Sequence, residues 1–317
     1  MSPPSKDARI VVTGAAGLVG QNLCLRLHRA GYSDIVGIDK AHGNLEILTQ
    51  TQPWVRTLRA DLADAGPWQD EIEAADVVFL NQAQIGGLEW AEFQRNNLDA
   101  TRHILDASAR ADAPPFIVHV SSSVVRSLAD DFYTRSKTDQ EAMVRSSGLA
   151  HCVLRPTLMF GWFDRKHLGW LRRFMAKVPV FPVPGSGRYV RQPLYAGDFC
   201  NVMISAMEQQ PSGEVFDISG LEKLHYIELI RIIKRVTGTR TPIVRIPYWL
   251  FFVLLKAAGL VLRNPPFTVA QLRALVIPEE FPMTDWPRRF GVRFTPFEAA
   301  AREAYTDPEF SSITLAF

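Results

Sequence analysis

Three residue types that can share one proton-transfer reaction occur within a short stretch of this sequence. Tyr133 and Lys137 lie four residues apart on a predicted helix, so their side chains face the same way. Ser121, Ser122 and Ser123 end the strand that precedes this helix. A phenol with a pKa of about 10 is a poor base at neutral pH, but a neighbouring cation lowers that pKa. The predicted chemistry is proton exchange between Tyr133 and a substrate oxygen that a serine holds.

A glycine-rich turn near the start of the chain predicts a dinucleotide site. Gly14, Gly17 and Gly20 follow a β-branched strand that ends at Thr13, and a predicted helix follows them. Gly14 suits a tight turn, Gly17 lets the backbone approach a pyrophosphate, and Gly20 lets the helix pack closely. The N-terminus of that helix then offers backbone N–H groups to the phosphates. Without further context, the same glycines could form a plain turn.

A carboxylate after the second predicted strand supplies that context. The strand 34–38 ends in Asp39, nineteen residues after Gly20. A carboxylate at this place accepts hydrogen bonds from a ribose 2′-hydroxyl and repels a 2′-phosphate, which favours NAD over NADP. Lys40 leaves an alternative open, since its ammonium could meet such a phosphate. With a nicotinamide beside it, Tyr133 could take a proton from a carbinol while hydride leaves for the cofactor.

Strands and helices alternate at short intervals through the first half of the chain, which is typical of a doubly wound parallel, Rossmann-type α/β sheet. We assign 1–160 to a dinucleotide-binding domain, to which 189–217 returns. The segments 161–188 and 218–317 are assigned to a smaller, mainly C-terminal substrate-binding region. Besides the strands named above, strands are predicted at 54–58, 76–80, 116–120, 151–155 and 214–217. Helices are predicted at 67–74, 90–111, 131–147, 198–208 and 227–236.

Composition excludes several classes of function. The 317 residues are 47% hydrophobic and 21% charged, as in an ordinary globular protein, and the net charge of +2 makes no electrostatic case for nucleic acid. Three isolated cysteines lack metal-ligand spacing, so we expect buried, reduced thiols and no metal site. The first residues lack the apolar stretch of a signal peptide, and we expect a cytoplasmic protein.

One apolar stretch has two interpretations. Residues 248–262 read YWLFFVLLKAAGLVL, with Lys256 inside and with Arg245 and Arg263 on either side. The stretch is shorter than the roughly twenty residues that span a membrane. It is either a buried helix of the second domain or a surface helix that docks on a membrane or on a partner.

Taken in order, the motifs resemble those of the extended short-chain dehydrogenase/reductase family, in its nucleotide-sugar epimerase, dehydratase and reductase branch. The resemblance extends through most of the chain. The matching residues are the turn TGAAGLVG at 13–20, Asp39, the pair Asp61 and Leu62, Asn97, the set Ser123, Tyr133 and Lys137, the pair Arg155 and Pro156 with Gly161, and RQPLYAGD at 191–198.

The resemblance implies a site, a cofactor and a substrate. It implies NAD, a nucleoside diphosphate sugar and a homodimer. Its catalytic residues are Ser123, Tyr133 and Lys137. Its cofactor contacts are Gly14, Ala16, Gly17, Leu18, Val19, Asp39, Asp61, Leu62, Asn81, Ala83, Asn97, Ser121, Tyr133, Lys137 and Pro156. Its substrate contacts are Gln82, Ser122, Ser123 and Arg191.

Some side chains near this site leave alternatives open. Asn81 and Gln82 could hydrogen-bond the cofactor or substrate, or solvate a loop. His119 is expected to be a core histidine with satisfied hydrogen bonds. A diphosphate contact and a solvated basic face are equally compatible with the arginines Arg165, Arg172, Arg173 and Arg188.

Departures from the family pattern define the alternative functions. Ser123 and Tyr133 are ten residues apart, a shorter interval than in typical sugar epimerases, which resembles keto-sugar reductases and a non-catalytic subunit of respiratory complex I. Val124 and Val125 replace the Asp-Glu pair of 4,6-dehydratases, so no acid is in place to eliminate water. The leading hypothesis is a 4-epimerase or a 4-keto reductase. The alternatives are a dehydrogenase of a lipophilic, steroid-like alcohol and an NAD-binding scaffold, against which the intact triad argues.

Overall fold

The computed structural model describes residues 3–127, 130–261, 267, 269–277 and 280–316. Its strands are β1 Ile10–Thr13, β2 Ile35–Asp39, β3 Arg56–Arg59, β4 Val77–Leu80, β5 Phe116–Val120, β6 His151–Pro156, β7 Met159–Phe160, β8 Phe181–Pro184, β9 Val190–Arg191, β10 Leu194–Tyr195, β11 Val215–Ile218, β12 Leu224–His225 and β13 Ile243–Ile246.

Helices lie between most of these strands. They are α1 Leu18–Arg29, α2 His42–Thr51, α3 Trp68–Glu73, α4 Trp90–Phe93, α5 Ala100–Arg110, α6 Phe132–Ser146, α7 His167–Lys177, α8 Ala196–Gln209, α9 Tyr226–Thr237, α10 Tyr248–Val261, α11 Val269–Val276, α12 Trp286–Phe290 and α13 Phe297–Thr306. A π-helical segment Gln94–Asp99 joins α4 to α5, and a 3₁₀ turn Ser123–Arg126 follows β5.

A seven-stranded parallel sheet lies at the centre of the described part of the chain. Its strand order is β11-β6-β5-β4-β1-β2-β3. Every residue of β1 and β4 is buried, as expected for parallel strands that helices cover on both faces. The order reverses beside β1, and ligands of such sheets bind at the carboxyl ends of the strands at this switch point. The predicted doubly wound fold is confirmed.

Local sequence explains where the helix of the candidate triad begins and ends. Asp131 precedes α6, and its carboxylate accepts a hydrogen bond from the Thr134 N–H at 2.8 Å. Gly148 follows the helix with a φ of +75°, a conformation that glycine adopts without strain. The predicted helix at 131–147 therefore agrees with α6 to within one residue at each end.

Three local predictions need correction. No helix was predicted between Asp39 and the strand at 54–58, but this segment contains α2, whose buried Leu45 and Leu48 have helical spacing. The helix predicted at 90–111 is interrupted by the π-helical segment, a widened turn that hydrophobic periodicity does not reveal. The strand predicted at 151–155 continues to Pro156, the last residue of β6, since a strand end tolerates a missing N–H.

The second region combines short strand pairs with α7, α9 and α13 around a core of its own. It is joined to the first domain by buried polar contacts. The Asp198 carboxylate accepts hydrogen bonds from the Thr295 N–H at 2.8 Å and from the Thr295 hydroxyl at 2.7 Å. The end of the chain also returns to the first domain, because Asn44 and the Ala316 backbone exchange two hydrogen bonds. The proposed domain boundaries stay a prediction.

The apolar stretch 248–262 forms α10, and its described side chains are not in the core. None of the residues at 248–257 is buried, so the interpretation as a buried helix is wrong for this part of the stretch. Leu262 and the side chains of 258–261 lie outside the described residues. In the part of the chain that the structure describes, no helix has both the length and the apolar character needed to cross a membrane.

Candidate functional site

Steric contacts account for two of the three glycines in the turn after β1. Gly14 has a φ of +64°, and a Cβ built there would lie 2.8 Å from the Cα of Gln82. A Cβ at Gly20 would overlap the carbonyl oxygen of Gly14, so the first turn of α1 packs directly on the glycine turn. Both positions therefore require glycine.

Gly17 faces more open space, and this is where the residues present fit a dinucleotide. The nearest atom to a Cβ built at Gly17 is the Gly14 carbonyl oxygen at 3.4 Å. Gly17 is also the N-cap of α1 and supplies no side chain to cap it. The backbone N–H groups of Leu18 and Val19 begin this helix, whose N-terminus is a suitable place for a pyrophosphate.

Asp39 ends β2 beside this turn. One carboxylate oxygen accepts a hydrogen bond from the Ala16 N–H at 3.0 Å and the other accepts one from the Ala41 N–H at 2.9 Å. Burial raises the pKa of the Asp39 carboxyl, and these hydrogen bonds oppose the rise. Lys40 donates to Asn96 at 2.6 Å and lies 3.4 Å from Asp61, so its ammonium is held toward the predicted adenine pair.

Asn81 and Gln82, whose roles the sequence left open, are both bonded within the protein. Asn81 donates to the carbonyl oxygens of Thr13 and Gly14, at 3.3 Å each. Gln82 accepts a hydrogen bond from the Thr13 hydroxyl at 2.5 Å and donates to Thr101 at 3.3 Å. These contacts connect the glycine turn to the end of β4. The cofactor contact predicted for Asn81 and the substrate contact predicted for Gln82 stay predictions.

The same hydrogen bonds continue to the candidate triad. Gln140 donates to the Thr101 hydroxyl at 2.8 Å and accepts a hydrogen bond from the ammonium of Lys137. We call Thr13, Gln82, Thr101 and Gln140 the glutamine chain. It links the turn after β1 to Lys137 through side chains that sequence analysis did not connect, because the four residues are far apart in the sequence.

Lys137 is fully buried beneath the carboxyl end of β5. Besides its bond to Gln140, its ammonium donates to the carbonyl oxygen of Val120 at 2.9 Å. Burial lowers the pKa of Lys137 to about 7, and the charge of Glu141 opposes this shift. Burial therefore favours the neutral amine.

Tyr133 lies one turn before Lys137 on α6, but its pKa moves against our expectation. Burial raises the pKa of the Tyr133 phenol, a hydrogen bond with the Ser122 hydroxyl opposes the rise, and the charge of Asp131 adds to it. Lys137 is not among the causes. The expectation that this cation lowers the phenol pKa is thus wrong for this structure, because burial penalises both charged forms.

The three consecutive serines have different partners. The Ser121 hydroxyl donates to Glu141 at 2.7 Å, and Glu141 forms an ion pair with Arg155. Ser122 is the serine beside Tyr133, whereas Ser123 begins the 3₁₀ turn. Sequence alone could not distinguish Ser122 from Ser123, since the chain leaves the strand at Val120.

Asn97 lies in the π-helical segment and uses all of its polar atoms inside the protein. Its amide oxygen accepts the Gln84 N–H at 2.7 Å, and its amide nitrogen donates to the Gln84 carbonyl at 3.2 Å and to the Ser136 hydroxyl at 2.9 Å. Asn97 therefore holds the loop after β4 against α6. It acts as a positioning residue here, and the cofactor contact predicted for it stays a prediction.

Arg191 also binds the protein itself. Its guanidinium donates to the carbonyl of Val190 at 2.8 Å, to that of Ile277 at 2.7 Å and to that of Leu275. The last two carbonyls lie at the C-terminal end of α11, which Arg191 therefore anchors. Its predicted contact with a diphosphate stays a prediction.

The arginines near the predicted substrate region differ in their surroundings. Arg172 and Arg173 donate to backbone carbonyls of the second region, so they are not a solvated face, whereas Arg188 is exposed.

His119 is a core residue as expected. It is not satisfied, however, because neither ring nitrogen has a hydrogen-bond partner among the described residues. Burial lowers the pKa of His119 well below its usual value, so the ring is neutral.

Comparison with known proteins supports the same fold and cofactor class. The NAD dependent epimerase/dehydratase family matches residues 10–219. The 3 beta-hydroxysteroid dehydrogenase/Delta 5→4-isomerase of Mycobacterium tuberculosis is 25% identical over 270 residues, which cover 75% of this chain and 72% of that protein. The low-salt glycan biosynthesis protein Agl12 of Haloferax volcanii is 27% identical over 267 residues, or 74% of this chain and 84% of that protein.

A solved structure shares the fold over nearly the whole chain. UDP-glucuronic acid 4-epimerase from Bacillus cereus, in complex with UDP-glucuronic acid and NAD, superposes with a TM-score of 0.69 at 19% identity. The match covers 94% of this chain and 98% of that one. The family match extends over more than half of the chain and is described as NAD dependent, so the prediction of NAD is confirmed at the level of the family. The chain belongs to the NAD dependent epimerase/dehydratase family.

Proposed function

We propose that this protein oxidises or reduces a secondary alcohol or ketone of a nucleoside diphosphate sugar, as a 4-epimerase or a 4-keto reductase. One observation carries the proposal. The Tyr133 phenol lies beside the Ser122 hydroxyl, and Lys137 on the same helix is hydrogen-bonded through the glutamine chain to the dinucleotide turn. These contacts support a proposal in which an acid/base group and the cofactor site share one end of the sheet.

The residues present suit the parts of NAD in order along this edge. Gly14 to Val19 would hold the pyrophosphate, Asp39 the adenosine ribose, and Asp61 with Leu62 the adenine. Tyr133 and Lys137 would meet the nicotinamide ribose. Ala83 and Pro156 are proposed to line the nicotinamide end. When bound, NAD supplies the chemistry of accepting a hydride from the substrate carbon or returning one.

The protein handles the proton. Because the Tyr133 pKa is raised, the phenol is protonated near neutral pH and can donate its proton to a carbonyl oxygen as that oxygen gains charge. A hydroxyl of Ser122 or Ser123 would donate a hydrogen bond to the same oxygen. In the oxidation direction Tyr133 must start as the phenolate, the form that the raised pKa disfavours in the free protein.

The comparisons support the sugar nucleotide as substrate. The Bacillus cereus epimerase was solved with UDP-glucuronic acid, and the Haloferax relative is named for glycan biosynthesis. Within this chain, Arg191 is the residue proposed to meet the diphosphate. It could do so only by exchanging its present bonds to the carbonyls near Leu275 and Ile277.

The engagement of Arg191 favours a second candidate, a dehydrogenase of lipophilic secondary alcohols. Such a substrate has no diphosphate, so it leaves the contact between Arg191 and α11 undisturbed. The Mycobacterium tuberculosis relative is named for a steroid substrate. The proton chemistry at Tyr133 would be the same for both candidates.

The deciding experiment begins with the NAD content of the purified protein. The protein is then mixed with NADH and one of two classes of substrate. The first class is 4-keto sugars linked to uridine or thymidine diphosphate, and the second is steroid ketones. The absorbance of the nicotinamide is followed in a single turnover and then over repeated turnovers. Repeated turnovers of a keto-sugar nucleotide that consume free NADH would establish a reductase. Interconversion of two uridine or thymidine diphosphate sugars by the protein with NAD, with no net reduction of the cofactor, would establish an epimerase. Oxidation of NADH with the steroid ketone, but not with the sugar nucleotides, would establish the second candidate. Tight NAD binding without turnover of any substrate would indicate a non-catalytic NAD-binding scaffold.

A further inference from the structure

Helix α10 exposes apolar and aromatic side chains that the rest of the described protein does not cover. Trp249 is 67% exposed, Val253 is 53% exposed and Leu254 is 51% exposed. Trp249 and Val253 are four residues apart and so lie on the same side of the helix. A helix that is apolar all round is normally buried in a core or in a membrane. The exposed face therefore calls for an external partner that accepts apolar groups.

The charge around this helix identifies the chemistry of that partner. Residues 229–278 contain no aspartate or glutamate. The same fifty residues contain eight lysines and arginines, namely Arg231, Lys234, Arg240, Arg245, Lys256, Arg263, Arg273 and Arg235, the last of which is paired with Glu298 at 2.6 Å. The net charge of the whole chain is only +2, so positive charge is concentrated in this segment. A partner with negative charge and an apolar interior matches both features.

Two of these cations are held close to the apolar helix. The Lys256 ammonium lies 5.4 Å and the Arg273 guanidinium 5.8 Å from the ring of Phe252. Arg245 is exposed on β13, three residues before α10 begins. Lysine and arginine stems can lie along apolar surface while their charged ends remain in the polar layer.

We propose that α10 binds in the plane of an anionic lipid bilayer surface. Its fourteen residues would be about 21 Å long, which is too short to cross a hydrocarbon core of about 30 Å. Trp249 and Tyr248 suit the boundary between headgroups and acyl chains, where aromatic side chains with a polar atom are enriched. Val253 and Leu254 would enter the apolar layer, and Lys256, Arg245 and Arg273 would contact the anionic headgroups.

A second copy of this chain is a poorer match for the same face. A twofold interface brings the same surface patch of both subunits together, so Arg245 and Lys256 would approach their own copies. The segment 229–278 offers no carboxylate to neutralise them. The lipid proposal is independent of the substrate proposed above, because none of these residues belongs to the glycine turn or to the triad.

The test is flotation of the full chain with vesicles. One set contains phosphatidylcholine alone, and the other contains phosphatidylcholine mixed with phosphatidylglycerol. We expect the protein to float with the anionic vesicles only, and we expect added salt to weaken this binding, because salt screens the attraction of the basic residues. Binding to neither set, or equal binding to both sets, would overturn the proposal.

Matched variants identify the surface. The double variant Trp249→Ser/Leu254→Ser should reduce partitioning about tenfold or more by removing apolar groups, and Arg245→Glu/Lys256→Glu should do the same through charge. The controls Leu88→Ser and Arg59→Glu make the same kinds of change at exposed positions elsewhere, and they should float like the parent. Thermal unfolding checks that every variant is folded. Unchanged flotation of the α10 variants, or loss of a dimer from the same variants without vesicles, would contradict the lipid assignment.

Discussion

Burial raises the pKa of Tyr133 and lowers that of Lys137, although the two residues lie one turn apart on α6. Both shifts favour the uncharged side chain. In a site with a neutral phenol and a partly neutral amine, the phenol already carries the proton that it can donate to a substrate. The chemistry of the site therefore depends on what a bound substrate and cofactor do to two groups whose charged forms burial disfavours.

Replacing Tyr133 with phenylalanine tests the proton transfer directly. The variant loses one oxygen and retains the ring, so folding and NAD affinity should be unchanged. Hydride transfer in a single turnover should fall by about 10²–10⁴-fold, the usual contribution of a general acid or base. Tyr32→Phe is the matched control, because its phenol bonds to Glu208, outside the proposed site, and transfer should be unaffected. Unchanged transfer in Tyr133→Phe would remove this residue from the mechanism.

The buried amine of Lys137 predicts a particular dependence of stability on pH. Its folded pKa of about 7 lies below the ordinary lysine value of about 10.4, so between these values the unfolded chain binds a proton that the folded chain has released. The free energy of unfolding should therefore rise with pH in this window, by at most about 1.4 kcal/mol per pH unit from this group.

Comparison with Lys137→Met isolates that contribution. The difference in unfolding free energy between parent and variant, measured in urea at several pH values, should shift in favour of the parent as pH rises from about 7 to 10. A difference that does not depend on pH would show that Lys137 stays charged in the fold. In a separate titration, the variant should bind NAD more weakly, because the lysine is proposed to touch the cofactor.

Asp39 is expected to set the choice of cofactor. The parent should bind NAD more tightly than NADP, because a carboxylate would face the 2′-phosphate. Asp39→Asn keeps an acceptor for the Ala16 N–H and removes the charge, so NADP affinity should rise about tenfold relative to NAD affinity. Equal affinities in the parent, measured by titration, would refute this assignment and direct attention to Lys40.

Sequence reasoning located the catalytic candidates at residue scale but not their partners. The i, i+4 spacing of Tyr133 and Lys137 follows from helix geometry alone. The continuation from Gln140 to the glycine turn could not be inferred in this way, because it passes through Thr101 and Gln82, which are distant in the sequence. Which serine faces the phenol also depends on where the chain leaves β5, a matter of backbone conformation and not of composition.

At the scale of elements, two separate constraints act on Gly14 in the turn after β1. A side chain there would adopt a positive φ and would also press against the backbone of Gln82. Gly148 has a similar φ of +75° but nothing within 4 Å of a Cβ built there. Gly14→Ala should therefore destabilise the protein by more than Gly148→Ala, which should cost about 1 kcal/mol.

Cofactor affinity and urea unfolding distinguish the roles of these glycines. Gly14→Ala and Gly14→Val should lose NAD binding because the turn must shift. Gly148→Ala should bind NAD as the parent does. Equal costs for Gly14→Ala and Gly148→Ala would mean that the close approach to Gln82 is unimportant.

Periodicity predicted α8 and α9, each of which buries a hydrophobic face, to within one or two residues of the structure at each end. The bounds of α6, whose buried side chains are mostly polar, were predicted as closely. Periodicity did not reveal the π-helical segment, in which the side-chain amide of Asn97 bonds to Gln84 and Ser136. Such a local distortion follows from tertiary hydrogen bonds that no window of sequence contains.

At the scale of the whole molecule, a few buried polar contacts hold the second region to the first. Asp198→Ala should lower the free energy of unfolding by about 1–3 kcal/mol, because it leaves the N–H and hydroxyl of Thr295 unpaired. Asp198→Asn keeps an acceptor and should cost less. Urea unfolding of the three proteins provides the measurement, and a negligible cost for Asp198→Ala would mean that water replaces these bonds.

Such contacts explain why domain membership was harder to predict than fold class. The alternation of strands and helices is a local property and is visible in the sequence. The return of the chain end to Asn44, and the packing of Trp286 and Phe290 into the core of the large sheet, join residues that are far apart in sequence. Only the folded chain reveals these associations.

The three buried cysteines offer built-in reporters of local opening. Cys24 lies on α1, Cys152 on β6 and Cys200 on α8, and all three thiols are free and buried. Because an alkylating reagent reaches a thiol only after its surroundings open, the modification rates of these cysteines measure the opening of the core that α1, α8 and the central sheet share. Mass spectrometry of the three modified peptides would show whether the dinucleotide helix, the central sheet and the helix bearing Asp198 open together or separately, without any added label.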